Sequence, residues 1–366
     1  MRGKRFQSVL SASKLAIVFL ALTPQALAQQ QTFSKVLGLP PLVTPANNPS
    51  TPQKVALGKA LFFDKRLSKD GKMSCAACHQ PDKAFTDNLV VAKGLNGRLG
   101  VRNTPSLLNA VYAESLFWEG RRTSLEDQAM DPFTNPIEHG MSGHTALLQV
   151  IQQSKDYRSL VKEAYGLPIK KLGTPHVANA LANFQRTLVS GNSAFDRYQY
   201  GQDKSALSHS ARQGLDIFQN QAKCASCHTI GGDSALFTDN KFHRLGIGNK
   251  KIESRLAELT NEFVNNSNQT IDQAFLTRPE LAELGRFLVT KNPNDIGRFK
   301  TPSLRNVALT APYMHDGSIA TLEEAVELEI YYRGIEANRP IVLMPQEKAD
   351  LIEFLKSLTG SEAKKF

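Results

Sequence analysis

The chain has 366 residues, 41% hydrophobic and 21% charged, with a formal net charge of +10. That length holds two domains or one large one, and the composition excludes a predominantly disordered or fibrous chain. Four cysteines exclude a disulfide-rich scaffold, while the charge raises nucleic acid or an acidic membrane surface as partners.

Residues 1–28 read as an export signal. Arg2, Lys4, Arg5 and Lys14 flank the apolar run Leu15–Leu22, and Ala26-Leu27-Ala28 is a small-x-small cleavage site. An uncleaved anchor is the competing reading, but the run is short for a bilayer. Cleavage after Ala28 removes four positive charges from 44, leaving 40 against 34 acidic residues, a net +6. No long basic block remains, so nucleic acid loses its support. No other stretch is apolar enough to span a membrane, and the mature chain is expected in the periplasm.

Leu37–Gln53 carries five prolines and is expected to run extended over a surface. Apolar spacing of about 3.6 residues predicts helices over 52–63, 145–164, 175–189, 206–219, 321–332 and 346–358. Loops rich in Gly, Pro and Asn lie between them, as at 80–110 and 229–250. Gly191–Ser205 is polar, without apolar periodicity, and reads as a linker. The fold class is therefore mainly α with little strand.

All four cysteines fall in two copies of one motif, Cys75-Ala76-Ala77-Cys78-His79 and Cys224-Ala225-Ser226-Cys227-His228. C-x-x-C-H attaches c-type haem: two thioethers hold the macrocycle and the adjacent histidine reaches the iron. A four-cysteine zinc site or two redox-active pairs are the alternatives, and neither requires a histidine after each pair.

Landmarks then repeat. Phe85-Thr86-Asp87-Asn88 matches Phe237-Thr238-Asp239-Asn240, and Thr104-Pro105-Ser106-Leu107-x-Asn109 matches Thr301-Pro302-Ser303-Leu304-x-Asn306. Phe117-Trp118-Glu119-Gly120 matches Met314-His315-Asp316-Gly317, and Leu125-Glu126 matches Leu322-Glu323. From Thr to Gly is 16 positions in both copies, and Gly58-x-x-Leu61-Phe62 resembles Gly214-Leu215-x-x-Phe218. The chain is an internal duplication into two cytochrome c-like haem domains, 29–200 and 201–366. The second copy has 48 extra residues between its haem motif and its Thr-Pro-Ser-Leu, mainly within 245–293.

Two c-haem motifs, the Phe-Trp-x-Gly-Arg and Pro-Tyr-Met-His-Asp-Gly segments and the export signal together resemble the bacterial dihaem cytochrome c peroxidase superfamily, which includes MauG-type enzymes. The resemblance covers roughly residues 35–360. It implies that hydrogen peroxide is reduced to water at the N-terminal (His79) haem. The C-terminal (His228) haem would relay electrons from a small cytochrome c or cupredoxin. MauG-type oxidation of a protein partner through a high-valent two-haem state is the second reading, and a non-catalytic dihaem electron carrier the third. A homodimer is compatible with all three.

The family's peroxide-site pattern falls on Gln128 and Glu138, ten positions apart. A carboxyl with a raised pKa can move a proton between peroxide oxygens, and Gln128 would position it. Without the family, an acid in an Asn-Pro loop reads as a solvated turn. His139 and His144 read first as surface histidines and second as pocket contributors. Trp118, the only tryptophan, is placed between the haems by the resemblance as an electron conduit; a core aromatic is the plainer reading. Many relatives block the first iron with a loop histidine 16 residues after the motif; here that residue is Leu95, which implies an open site.

The family's sixth ligand of the second haem lies 12 residues after the His-Asp-Gly glycine. Here that is Glu329, and the same count in the first copy gives Pro132, which cannot ligate iron. Tyr331 matches the family's Tyr-x-Arg-Gly ending if two residues are inserted; Met314 and Met344 are the sulfur alternatives. An anionic oxygen would lower the potential and Met would raise it. His315 reads as a polar residue near the second haem or the domain interface. The resemblance also implies one calcium ion between the domains, held by Asn103, Thr310 and Pro312 through oxygen donors.

Overall fold

The computed structural model describes residues 33–363 except Ser267; the expected export signal over 1–28 lies outside the described residues. In chain order the helices are α1 (Pro52–Phe63), the single turn α2 (Cys75–Cys78), α3 (Leu125–Gln128), α4 (Asp131–Thr134), α5 (His144–Gln153), α6 (Tyr157–Tyr165), α7 (Thr174–Arg186), α8 (Ala194–Gln199) and α9 (His209–Gln219). They continue with α10 (Asn249–Ile252), α11 (Leu256–Asn265), α12 (Ile271–Thr277), α13 (Phe287–Thr290), α14 (Leu322–Glu336) and α15 (Pro345–Lys356). Among the described residues the only sheet is an antiparallel pair, β1 (Phe242–His243) with β2 (Phe299–Lys300). The protein is mainly α, as the periodicity implies.

All six segments with helical spacing are helical, with one difference. The stretch 145–164 is two helices, α5 and α6. Ser154 Oγ accepts the Asp156 N–H at 3.3 Å, and this local bond replaces the helical one and turns the chain.

The duplication reappears as two copies of one helix crossing. In the first half α1 crosses α7 so closely that a Cβ on Gly58 would sit 2.0 Å from the Ala180 carbonyl oxygen. In the second half α9 crosses α15, and a Cβ on Gly214 would sit 2.0 Å from the Asp350 carbonyl oxygen. Only glycine permits that approach. Matching aromatic sets pack beside each crossing. Phe62 meets Phe184 at 5.1 Å and 56°, and Phe218 meets Phe354 at 5.0 Å and 58°. Phe85 and Phe237, from the repeated Phe-Thr-Asp-Asn, join their respective sets at 6.3 and 6.2 Å. Burying such rings contributes about 1.5–3 kcal/mol each.

Gly191–Ser205 is not the loose linker that its polarity suggests. It carries α8, whose Ser193 caps Asp196 and is capped in return. Asp196 is fully buried and forms a two-pronged ion pair with Arg305, both contacts at 2.9 Å. Arg305 also donates to the carbonyls of Ala235 and Gly38, each at 2.6 Å. The polar residues that hide the periodicity are therefore an internal ionic joint. The proline-rich stretch is likewise anchored rather than merely laid over a surface: Leu39 is buried, and Asn48 donates to Glu126 at 2.6 Å.

The inserted segment of the second half builds its own apolar cluster from Ile252, Leu259, Phe263, Phe275, Leu284 and Phe287, with neighbours. Val101 of the first half packs against it.

Candidate active site

Both Cys-x-x-Cys-His motifs fold as one tight turn. The His79 N–H donates to the Cys75 carbonyl and the His228 N–H to the Cys224 carbonyl, each at 2.9 Å. Each histidine then bonds a backbone carbonyl through Nδ1: His79 with Phe85 at 3.0 Å and His228 with Phe237 at 2.9 Å. Nδ1 therefore carries the hydrogen, and Nε2 keeps the lone pair an iron needs. Burial lowers the pKa of both imidazoles, that of His228 to about 4, so both rings are neutral. The Thr-Pro-Ser-Leu copies tie down the same loops. Ser106 Oγ donates to Ala84 O at 2.6 Å, and Ser303 Oγ to Leu236 O at 2.7 Å.

A cavity of about 490 Å³ runs between the halves and is lined by Cys78, His79, Cys224, Cys227 and His228. Cys75 lines a smaller adjoining cavity of about 60 Å³. Paired cysteines, a tautomer-fixed histidine at each end and predominantly apolar walls fit two c-type haems.

Residues 52–204 match the family described as di-haem cytochrome c peroxidase. The chain is 34% identical to cytochrome-c peroxidase IdrP1 of Pseudomonas sp. (strain SCT), over 98% of this chain and 93% of that protein. It is 37% identical to the methylamine utilization protein MauG of Methylorubrum extorquens, over 87% of this chain and 82% of that protein. The chain belongs to the di-haem cytochrome c peroxidase family. It is thus an oxidoreductase of a family that carries two haems. Among solved structures, a MauG-like protein associated with microbial copper homeostasis superposes with a TM-score of 0.71 at 31% identity, covering 89% of this chain and 95% of that one. The diheme peroxidase BthA of Burkholderia thailandensis shares the fold, with a TM-score of 0.68 at 22% identity over 92% and 94% of the two chains.

Against that family background, Gln128 and Glu138 come together: both line the two cavities beside His79. The chain reaches Glu138 through an Asn-Pro turn. Asn135 Oδ1 accepts the Ile137 N–H and Asn135 Nδ2 donates to Glu138 Oε1, both at 2.9 Å. Burial pushes the Glu138 pKa up to about 7; Asp272 and Asp131 add to the rise and Arg121 opposes it. Leu95 is buried, and its N–H donates to Ile137 O at 2.6 Å, so it abuts the loop that carries Glu138.

His139 is not a surface residue. It is 4% exposed, its Nδ1 bonds Leu67 O at 2.8 Å, and its Nε2 lies 4.0 Å from Cys75 Sγ. His144 is half-buried, with Nε2 on Met130 O at 3.1 Å, and does not line either cavity.

Trp118 lines the inter-half cavity, and its Nε1 donates to Asn103 O at 2.9 Å. Its carbonyl accepts the Lys300 N–H at 2.9 Å, while the His315 carbonyl accepts the Asn103 N–H at 2.9 Å. Lys300 and Asn103 each precede a Thr-Pro, and Trp118 and His315 are equivalent in the repeat, so the halves exchange one bond each way. His315 is buried at this interface, stacked on Phe299 at 3.6 Å, with Nε2 on Glu283 at 2.7 Å.

At the second haem site Glu329 and Met314 line the cavity. Tyr331 does not: it is 62% exposed, as is Met344 at 63%. No two-residue insertion interrupts α14, so residues 329 and 331 lie about 200° apart on one helix and cannot share a face. Asn103, Thr310 and Pro312 all line the cavity between the halves. Among the described residues, Asn103 Oδ1 and the Thr310 and Pro312 carbonyls accept no hydrogen bond, which leaves oxygen donors that suit calcium.

Two groups escape sequence reasoning. Glu119 is fully buried and pairs with Arg121 and, at 3.7 Å, with Arg102. Burial works against its charge, but Arg121 and Arg102 hold its pKa below the ordinary carboxylate range. Glu283, His315 and Asp316 form a second buried cluster, with Lys251 bridging the two carboxylates at 2.8 Å each. The only signal for Glu119 is its alignment with Asp316 in the repeat. Glu283 has none, because it sits in the insertion.

Proposed function

We propose that this protein is an exported c-type dihaem peroxidase that reduces hydrogen peroxide at the His79 haem and draws electrons from the His228 haem past Trp118. In this reading 29–200 and 201–366 are the two haem domains, each haem held by thioethers to its cysteine pair. Among the described residues no helix is long and apolar enough to cross a membrane.

One observation carries the reading: Glu138 and Gln128 line the cavity beside His79, and burial keeps Glu138 able to hold a proton near neutrality. A haem at His79 would bind the peroxide and supply the electrons that break the O–O bond. Asn135 occupies Glu138 Oε1, so the proton sits on Oε2, free to be given to the departing oxygen. Gln128 offers an amide to orient the peroxide. Trp118 is fixed at both Nε1 and its carbonyl, as a rigid bridge between the halves requires. Asn103, Thr310 and Pro312 would hold calcium at the same joint.

The test is Glu138→Gln in the haem-loaded protein. The peroxide step, followed through haem absorbance, should slow about 10²-fold or more. Unchanged kinetics would remove Glu138 from the chemistry.

A second reading, MauG-type oxidation of a protein partner, is favoured by Leu95. An apolar buried residue stands where many peroxidases carry a blocking histidine, which would leave the first iron open without reductive activation. An oxidised partner protein alongside slow turnover of small cytochrome or cupredoxin donors would select this reading.

A further inference from the structure

Three observations place the inserted segment of the second half over the first half's pocket. First, Asp272, near the start of α12, lines the same cavity as Glu138 and pairs with Arg121 at 3.1 Å. Second, Arg121 is held on its other faces by Glu119 and by the Phe117 ring, 3.4 Å from its guanidinium. Third, the insertion also fixes the neighbouring Arg102. The Phe275 ring lies 5.4 Å from that guanidinium, and the Ala282 carbonyl accepts from it at 2.6 Å. The insertion thus touches both arginines on the wall between the haem sites.

We propose that Asp272 is a positioning residue of the peroxide pocket, acting on Glu138 across the duplication by clamping Arg121 and offsetting its charge. The inference rests on Glu138 being the proton-handling group. The charged groups that act on Glu138 are Arg121, Asp131 and Asp272, with His139 adjacent in the chain and held neutral by burial. Asp272 in turn faces Arg121, Arg122, Glu119 and Asp131. Removing the Asp272 charge deletes a like charge near Glu138 and releases the field of Arg121. Both changes favour the ionised form of Glu138, so their signs agree. The side chain of Asp272 is 22% exposed and that of Glu119 is not exposed at all, so Asp272 is the one carboxylate on Arg121 that solvent reaches. A 48-residue insertion absent from the first copy is thereby given a task in the first copy's site.

The experiment uses the haem-loaded full chain. The carboxyl stretch of Glu138, identified in the infrared by its loss in Glu138→Gln, is titrated against pH. The midpoint should fall by about one unit in Asp272→Asn. The alkaline limb of the peroxide-step pH profile should fall with it, an up to about tenfold loss at fixed pH above the midpoint. Asp272→Glu, which keeps the charge, should retain the wild-type midpoint, and Arg121→Gln should raise it. An Asp272→Asn midpoint within a few tenths of wild type, with haem spectra intact, overturns the inference and leaves the Glu138 assignment standing. Should Asp272→Asn lose its haem spectra, Arg121→Gln decides alone, and an unmoved or lowered midpoint there overturns it. A wild-type peroxide rate in Glu138→Gln overturns the assignment and the inference together.

Discussion

Pro132 and Glu329 stand at the same place in the repeat, and the two halves diverge there. In the second half α14 runs unbroken for 15 residues from Leu322 and carries Glu329 into the haem cavity. In the first half the matching helix, α3, stops after four residues at Gln128. Pro132 cannot continue it, having no N–H to donate and a ring that would collide with the Gln128 carbonyl. The chain instead restarts as α4 and turns at Asn135, which delivers Glu138 and His139 to the pocket. One scaffold therefore yields two sites. Where the helix continues, the Glu329 side chain lines the cavity; where proline breaks it, an acid-bearing loop takes the space.

The largest expected effect tests how the second half is joined to the rest. Arg305 stands where the first half has Leu108, and its buried pairing with Asp196 has no first-half counterpart. Asp196→Ala should lose about 3–5 kcal/mol of stability, because it leaves a buried guanidinium unpaired. Replacing both residues by leucine should cost clearly less, since no orphaned charge remains. Denaturant unfolding of the haem-loaded protein measures both. A single variant that loses under about 1 kcal/mol would mean the joint is plastic and the halves are not held there.

The next effect sharpens the contrast at Glu138. Its folded pKa is raised from 4.5 to about 7 by burial, so the protonated form fits the fold and the ionised form strains it. The stabilisation is complete below the unfolded value and is lost as pH rises through the folded one. Stability should therefore decline between about pH 5 and 8, with a shallower slope in Glu138→Gln. Thermal midpoints across that range in the two proteins check it. Parallel curves would show that the carboxyl is solvated in the folded protein.

These features differ in how legible they are. The haem motifs, the repeat and the Asn-Pro approach to Glu138 stand in short, local strings, and local strings survive into structure. Gly58 and Gly214 are legible as landmarks, but not as helix crossings, because their partners Ala180 and Asp350 are over 100 residues away. The Asp196–Arg305 pair is hidden for the same reason, and its polarity even makes α8 look like a linker. Asp272 is the extreme case: nothing near it in sequence resembles a haem site, and only packing of the inserted cluster places it beside Arg121. His139 reads as exposed because a histidine after an acid in a turn usually is; Leu67, 72 residues away, holds its Nδ1, and Phe133, one turn back in the chain, covers its ring.

The subtlest effect concerns Glu329 and Tyr331, the two candidate oxygen ligands on α14 for the second haem. Glu329 faces the cavity and Tyr331 faces solvent, and a continuous helix cannot present both to one iron. If Glu329 is the ligand, Glu329→Met should replace an anionic oxygen by a neutral thioether and raise the potential of the second haem. Its low-spin or high-spin signature in the magnetic spectrum should change as well. Tyr331→Phe should leave both unchanged, because it removes only a hydroxyl that faces solvent. The reverse pattern would require α14 to unwind by two residues beside the second haem, bringing Tyr331 inward. The comparison between the halves would then change: both would break their helix to build a site.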